Sequence, residues 1–493
     1  MNRFGRWALP AVAVGALVAS PAALAADAEE VEAILKRVRE LESRLKAVEG
    51  DAAAARTSPA PDAELQRRLD EVDQLGRITA RKVENDQEVA AQRAKDGPQP
   101  IAGRDGFGLR TADNQFVLRL RGLIQVDARS YDGNAAGVSP DTFSLRRVRP
   151  TLEGTVLEKF AWRFTPDFGQ GTTQIFDAYG DANLHPGFRL RVGKFKPAVG
   201  LERLQSANAL GFVERGLPTN LVPTRDIGVQ VFGELLETRL GYEVGVFNGV
   251  ADGGQSAGGS GDRDAASGKD VAVRVFAHPF RGTEWFALGG LGVGLAATWG
   301  NQNGSLTNAV LPSALTPGQQ TFFSYNTGAF ADGERKRLAP QFYWFWQQFG
   351  ILGEYYANTQ RVRRGANVQD VETTAWQLAG SWVLTGEDSS FRGVTPRSNF
   401  DGVSGNWGAL ELVGRVGQQT IGDSAFVGAA AAALSSLSTS ARKADTFGVG
   451  LNWFWNRYVK LQVSYDQTTF DKGATTGDRP DERVFFSRYQ VSF

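Results

Sequence analysis

Arg119, Arg121, Arg147, Arg149, Arg189 and Arg191 fall in pairs two residues apart, and Lys194, Lys196, Arg203 and Arg215 follow them along the chain. Between Phe116 and Arg225 there are 15 Lys and Arg against 10 Asp and Glu, in a chain balanced overall at 54 against 54. Residues two apart on an extended strand share a face. A guanidinium offers a planar fork that matches phosphate or carboxylate oxygens, and it stays charged at all relevant pH. Rows of such groups in a narrow passage attract anions, repel cations and pass an ion from one weak site to the next. The competing reading is that these cations pair with Asp127, Glu153, Asp167, Glu202 and Glu214 and merely balance a polar interior.

Other chemistries find little support. The chain has no Cys, and its only Met is residue 1. An exported protein of this composition has no disulfide framework and no thiol chemistry. The two histidines, His185 and His278, each precede a proline and cannot build a multi-histidine metal site. No Ser–His–carboxylate set can be placed, so no catalytic residue, cofactor or metal is expected. Zero formal net charge argues against a nucleic-acid partner.

The elements that would position the cations have a period of two. Phe116, Leu118, Leu120, Ile124 and Val126 alternate with Arg119, Arg121, Gln125, Asp127 and Arg129. The chain ends on such a strand, with Phe485, Ser487, Tyr489, Val491 and Phe493 on one face and Phe486, Arg488, Gln490 and Ser492 on the other. A terminal aromatic of this kind is what the barrel-assembly machinery reads. The pattern predicts an all-β transmembrane barrel over 107–493, of about 16 antiparallel strands, with lipid outside and a polar lumen. A further strand at Phe322 to Phe330 leaves 18 open. Short joints such as Glu158-Lys159 and Gln348-Phe349 read as periplasmic turns. Longer Gly, Ser and Asn-rich joints, at 249–269, 301–333, 386–405, 421–443 and 471–481, read as extracellular loops.

Upstream, Arg3 and Arg6, the apolar run Trp7 to Ala19 and the small-x-small site Ala23-Leu24-Ala25 predict a cleaved signal peptide over 1–25. Residues 26–90 are expected to form a periplasmic coiled coil. Val31, Ile34, Val38, Leu41, Leu45 and Val48 repeat at 3-4-3-4-3, and Leu65, Leu69, Val72, Leu75, Ile78 and Val83 follow. Residues 91–106 read as a linker.

The joint 196–225 is long yet carries its own apolar residues, so it is expected to pack inside the lumen and narrow it. Around it, Arg191-Val192-Gly193-Lys194-Phe195-Lys196-Pro197, Gly200-Leu201-Glu202, Phe212-Val213-Glu214-Arg215 and Arg225-Asp226-Ile227-Gly228-Val229-Gln230 resemble the phosphate-selective porins of the O and P type. Arg146-Arg147, Phe247-Asn248-Gly249, Gly353-Glu354-Tyr355 and Gly450-Leu451-Asn452-Trp453 continue the resemblance in order along the barrel. It implies a homotrimeric sixteen-stranded porin of a Gram-negative outer membrane, embedded among lipid and lipopolysaccharide, whose third loop folds inward. The expected function is passive diffusion of small anions, phosphate or related oxyanions. Ala198-Val199 departs from the family pattern, and a general or weakly selective porin is the first alternative. A trimeric adhesin is the second; it would place its barrel in a short C-terminal segment, whereas here the barrel is nearly the whole chain.

Overall fold

The computed structural model describes residues 62–103, 106–132, 141–253 and 268–493, with seven positions between 36 and 47. The signal peptide and the seam Val31 to Val48 lie outside the described residues. The chain divides into two compact units, Met1–Lys95 and Asp96–Phe493.

The first unit is dominated by helix α1 (Asp62–Asp96), 35 residues of largely charged sequence. It passes through Gly76 and continues six residues past Ala90, where the sequence suggested that helix gives way to linker. Leu69, Val72, Leu75, Ile78 and Val83 are all exposed along it. Among the described residues no helix is long and apolar enough to cross a membrane.

The second unit is a closed barrel of sixteen antiparallel strands. They are β1 (Phe116–Tyr131), β2 (Thr142–Val156), β3 (Phe160–Asp167), β4 (Gln174–His185), β5 (Phe188–Phe195), β6 (Asp226–Leu235), β7 (Leu240–Phe247) and β8 (Asp270–Ala277). The second half comprises β9 (Leu291–Asn303), β10 (Ala329–Trp346), β11 (Phe349–Arg364), β12 (Asn367–Val383), β13 (Ala409–Ile421), β14 (Ala441–Phe454), β15 (Val459–Lys472) and β16 (Glu482–Ser492). Each strand pairs with the next, and β16 pairs with β1 from Val484↔Tyr131 to Ser492↔Leu123. Closure leaves no free edge, as a lipid environment requires. The eighteen-strand alternative does not arise: Thr321–Phe323 forms a two-stranded ribbon with Ala314–Leu315, apart from the barrel sheet. Part of the stretch 91–106 is not a linker either, since Gln99–Gly103 and Gly106–Arg110 make a hairpin that pairs with the start of β1.

Alternation sorts the side chains. On β10, Arg335, Arg337 and Gln341 are buried, while Leu338 and Phe342 face outward. Trp344, Trp346, Phe349, Trp382, Trp407, Trp453 and Trp455 gather at one end, where Trp344 stacks on Trp346 and Phe349 on Trp382. Such a belt marks a membrane interface. This end also holds most of the short joints, among them 157–159, 186–187, 347–348 and 455–458, and is called the turn end. One expectation fails here. The joint 384–408 follows an even-numbered strand and so lies at the turn end, not among the loops at the opposite, loop end. The two-residue hairpin 365–366 takes its place at the loop end, because β11 and β12 run on to Arg364 and from Asn367.

The interior is filled by connections. The segment 196–225 enters at Gly200, whose φ of 88° suits glycine and where a Cβ would stand 2.9 Å from the Tyr356 hydroxyl. Its apolar residues reach several walls: Leu201 meets Phe276 and Leu352, Val222 meets Phe195 and Tyr356, and Val213 meets Phe486. From the loop end, 304–328 springs between β9 and β10, yet its tip touches β1 and β16 across the ring. Tyr131 donates to the Gly318 carbonyl at 2.7 Å and Thr316 to Glu482 at 2.9 Å. From the turn end, the Phe391 carbonyl of 384–408 accepts from Gln205 at 2.9 Å.

Candidate functional site

With segment 196–225 laid against β13–β16, open space remains beside β1–β6. It forms a cavity of ≈ 1150 Å³. Arg392, Arg457 and Phe493 line it toward the turn end, and Ser313, Thr316 and Gln319 toward the loop end. Its wall carries twelve Arg and Lys against five Asp and Glu. Seven of the sequence candidates line it: Arg121, Arg147, Arg149, Arg191, Lys196, Arg203 and Arg215. Arg119, Arg189 and Lys194 do not. Arg119 stands opposite Glu153 in register, Arg189 approaches Glu234 at 3.7 Å, and Lys194 is buried beside Phe195, off the cavity.

Most strand cations are paired. Arg149 meets Asp167 at 2.7 Å and Arg225 meets Asp177 at 2.5 Å, with the Phe176 ring between them at 3.6 and 3.9 Å from the two guanidinium carbons. Arg191 forks onto Asp181 at 2.7 and 2.8 Å and lies over Tyr179. Arg121 and Arg163 share Glu153. Glu214 gathers Arg129 at 3.0 Å, Arg147 at 3.6 Å, Arg488 at 3.8 Å and Arg146. Burial disfavours the Glu214 charge, but Arg146 and Arg147 overcome it and hold its carboxyl well below the usual carboxylate range.

Three cations of the inward segment differ. Lys196 donates to the carbonyls of Leu204 and Gln205 at 3.0 and 2.9 Å. Arg203 donates to Thr219 O at 2.8 Å, and Arg215 to Glu202 O at 3.1 Å and Gln205 O at 2.8 Å. None has a carboxylate within 4 Å among the described residues. Burial first, and then the neighbouring cations, push Lys196 well below the usual lysine range and Arg215 down to about 9. The backbone orients these groups without supplying a counter-charge, and all three line the cavity.

A sequence profile described as phosphate-selective porin O and P matches residues 118–493. The chain belongs to the phosphate-selective porin O and P family. It is similar to Porin O of Pseudomonas aeruginosa, at 23% identity over 424 residues, covering 80% of this chain and 92% of that protein. Its barrel is also similar to the outer membrane channel DcaP of Acinetobacter baumannii, with a TM-score of 0.51 and 14% identity, covering 79% of this chain and 100% of the other. The protein is an outer-membrane channel.

Five cations lining this porin's cavity escaped the sequence reading: Arg146, Arg163, Arg225, Arg392 and Arg457. Arg146 is inward because of a bulge: Gln125 pairs with Arg147 and Val126 with Leu145, leaving Arg146 as the extra residue. The bulge reverses parity, so Leu145 and Phe143 point outward beyond it. The adjacent pair Arg146-Arg147 gave the only hint. Arg163 shares inward parity with Glu153 and was legible from it. Arg392 was hidden because its joint was assigned to the opposite end.

Proposed function

We propose that this porin is a passive diffusion channel for small anions, phosphate or related oxyanions, with Lys196, Arg203 and Arg215 as its selecting centre. The observation that carries this is that, among the described residues, none of these three has a carboxylate within 4 Å, in a wall where most strand cations have one. Fixed charge without a counter-charge must be balanced by mobile anions, which enriches them in the passage and excludes cations. A doubly charged oxyanion balances more of it than chloride does, and its oxygens suit the guanidinium fork. Salt screens the effect over ~10 Å at 0.1 M, so selectivity is strongest in dilute solution.

The working unit is a homotrimer, with the heptad patterns of residues 26–90 as an additional tie between copies. A signal peptide directs export, and the turn end faces the periplasm. Nothing in this reading calls for a catalytic group. Reversal potentials across a KCl gradient, followed by titration with phosphate, test it. Chloride preference with phosphate block is the expected result; equal passage of potassium and chloride would sink the reading.

A further inference from the structure

Three positive side chains on β13–β16, Arg415, Lys460 and Arg488, do not line the cavity. With the amides Asn452 and Gln462 they point at the back of the inward segment and donate to its peptide carbonyls. Lys460 Nζ donates to Asn208 O at 3.1 Å and Leu210 O at 3.0 Å. Gln462 Nε2 donates to Leu210 O at 3.1 Å and Gly211 O at 3.3 Å, and Asn452 Nδ2 to Gly211 O at 2.9 Å. Arg488 Nη1 donates to Val213 O and Arg415 Nη1 to Glu214 O, both at 2.7 Å. Each of these five side chains is at most 3% exposed.

We propose that Arg415, Asn452, Lys460, Gln462 and Arg488 are positioning residues that set the width of the passage by clamping segment 208–214 through its backbone. The inference rests on the channel reading above, and it concerns size, not sign. Arg415 is already neutralised by Asp466 at 2.8 Å and Arg488 by Asp127 at 2.6 Å, so their charge is spent behind the segment. Buried carbonyls that lose their donors must find water instead. Here water comes from the lumen, so an unclamped segment moves off the wall.

The test uses the full chain in planar bilayers. Lys460→Met, Asn452→Leu and Gln462→Leu together remove five of the seven clamping hydrogen bonds described. Single-channel conductance in 1 M KCl, where screening acts within ~3 Å, should change at least two-fold. A staple supplies the readout that general destabilisation would not give. A Cβ built on Gly211 lies 3.9 Å from the Val413 Cβ, within disulfide range, and the chain has no other cysteine. In the unclamped channel carrying Gly211→Cys and Val413→Cys, oxidation should restore the original conductance and reduction should abolish the restoration. An unchanged conductance without the clamp, or a change that the staple does not reverse, overturns the proposal. If the triple variant does not assemble, Lys460→Met alone, with the same staple, decides between the same outcomes. Loss of anion preference in dilute KCl would remove the selectivity reading and leave this one standing.

Discussion

Arg203 and Arg215 differ from the paired strand arginines in their partners, not in their type, and Lys196 shares their carbonyl partners. A carboxylate partner cancels an arginine's field at a distance; a carbonyl only aims it. Replacing Lys196 and Arg215 together by Gln should therefore cut the chloride-to-potassium permeability ratio several-fold in dilute KCl, as read from reversal potentials. Raising the pH should act in the same direction. Burial and the neighbouring cations hold the Lys196 ammonium well below 10.5, so it gives up its proton earlier than an ordinary lysine and the positive centre fades as pH climbs. Reversal potentials at pH 7 and pH 9.5 would show anion preference weakening with alkalinity; a preference that grew would contradict it. Glu214 makes the opposite case. Four guanidiniums lie within 4 Å of its carboxylate, and Glu214→Gln leaves them mutually repelling. A buried ion pair broken on one side costs ~3–5 kcal/mol, which should appear as a lower temperature for loss of the heat-resistant band on gels. Parity made Arg121, Arg147, Arg149 and Arg191 legible in the sequence. It could not separate paired from unpaired cations, because their partners come from distant strands and from backbone.

Strand length varies around the ring in a way that composition did not reveal. β3, β5, β7 and β8 have eight residues each, whereas β10, β11 and β12 have 18, 16 and 17. Eight extended residues at a tilt of ~40° rise only ~20 Å, less than the ~25 Å apolar band of an outer-membrane barrel. A wall that low fits a protein neighbour better than lipid, and the proposed trimer would meet there. Phe164→Lys with Val192→Lys, on exposed positions of β3 and β5, should release monomers that remain folded barrels, as judged by native mass measurement. Phe342→Lys on the tall wall should leave the oligomer intact and lower only its stability. The error over 384–408 comes from reading composition as location. A long joint rich in Gly and Ser was equated with the outside, but only strand parity fixes the end on which a joint lies.

At the scale of the molecule, the ring is sealed by its own terminus. Phe493 exchanges backbone hydrogen bonds with Gly122 at 2.9 and 3.0 Å, and its ring lies edge-on to Phe107 at 6.0 Å. Phe493→Asp should sharply reduce the heat-modifiable barrel recovered from membranes, and recovery at the unmodified level would contradict the seam's importance. The barrel itself was legible because one lipid-facing and one lumen-facing row must alternate on every strand.

The same seam has a consequence in time. Asp127 and Arg488, which meet across it, stand 361 positions apart in sequence, so closing it carries the largest chain-entropy cost in the fold and comes late. Yet Arg488 and Gln490 on the last strand, with Gln125 on the first, also hold the inward segment, through Val213, Asn208 and Ala207. Until β16 arrives, the wall is open and the constriction lacks part of its anchorage. Sealing the cylinder and anchoring its constriction thus fall to the same eleven-residue strand, and a ring still open at that seam is also a ring whose bore is not yet fully held.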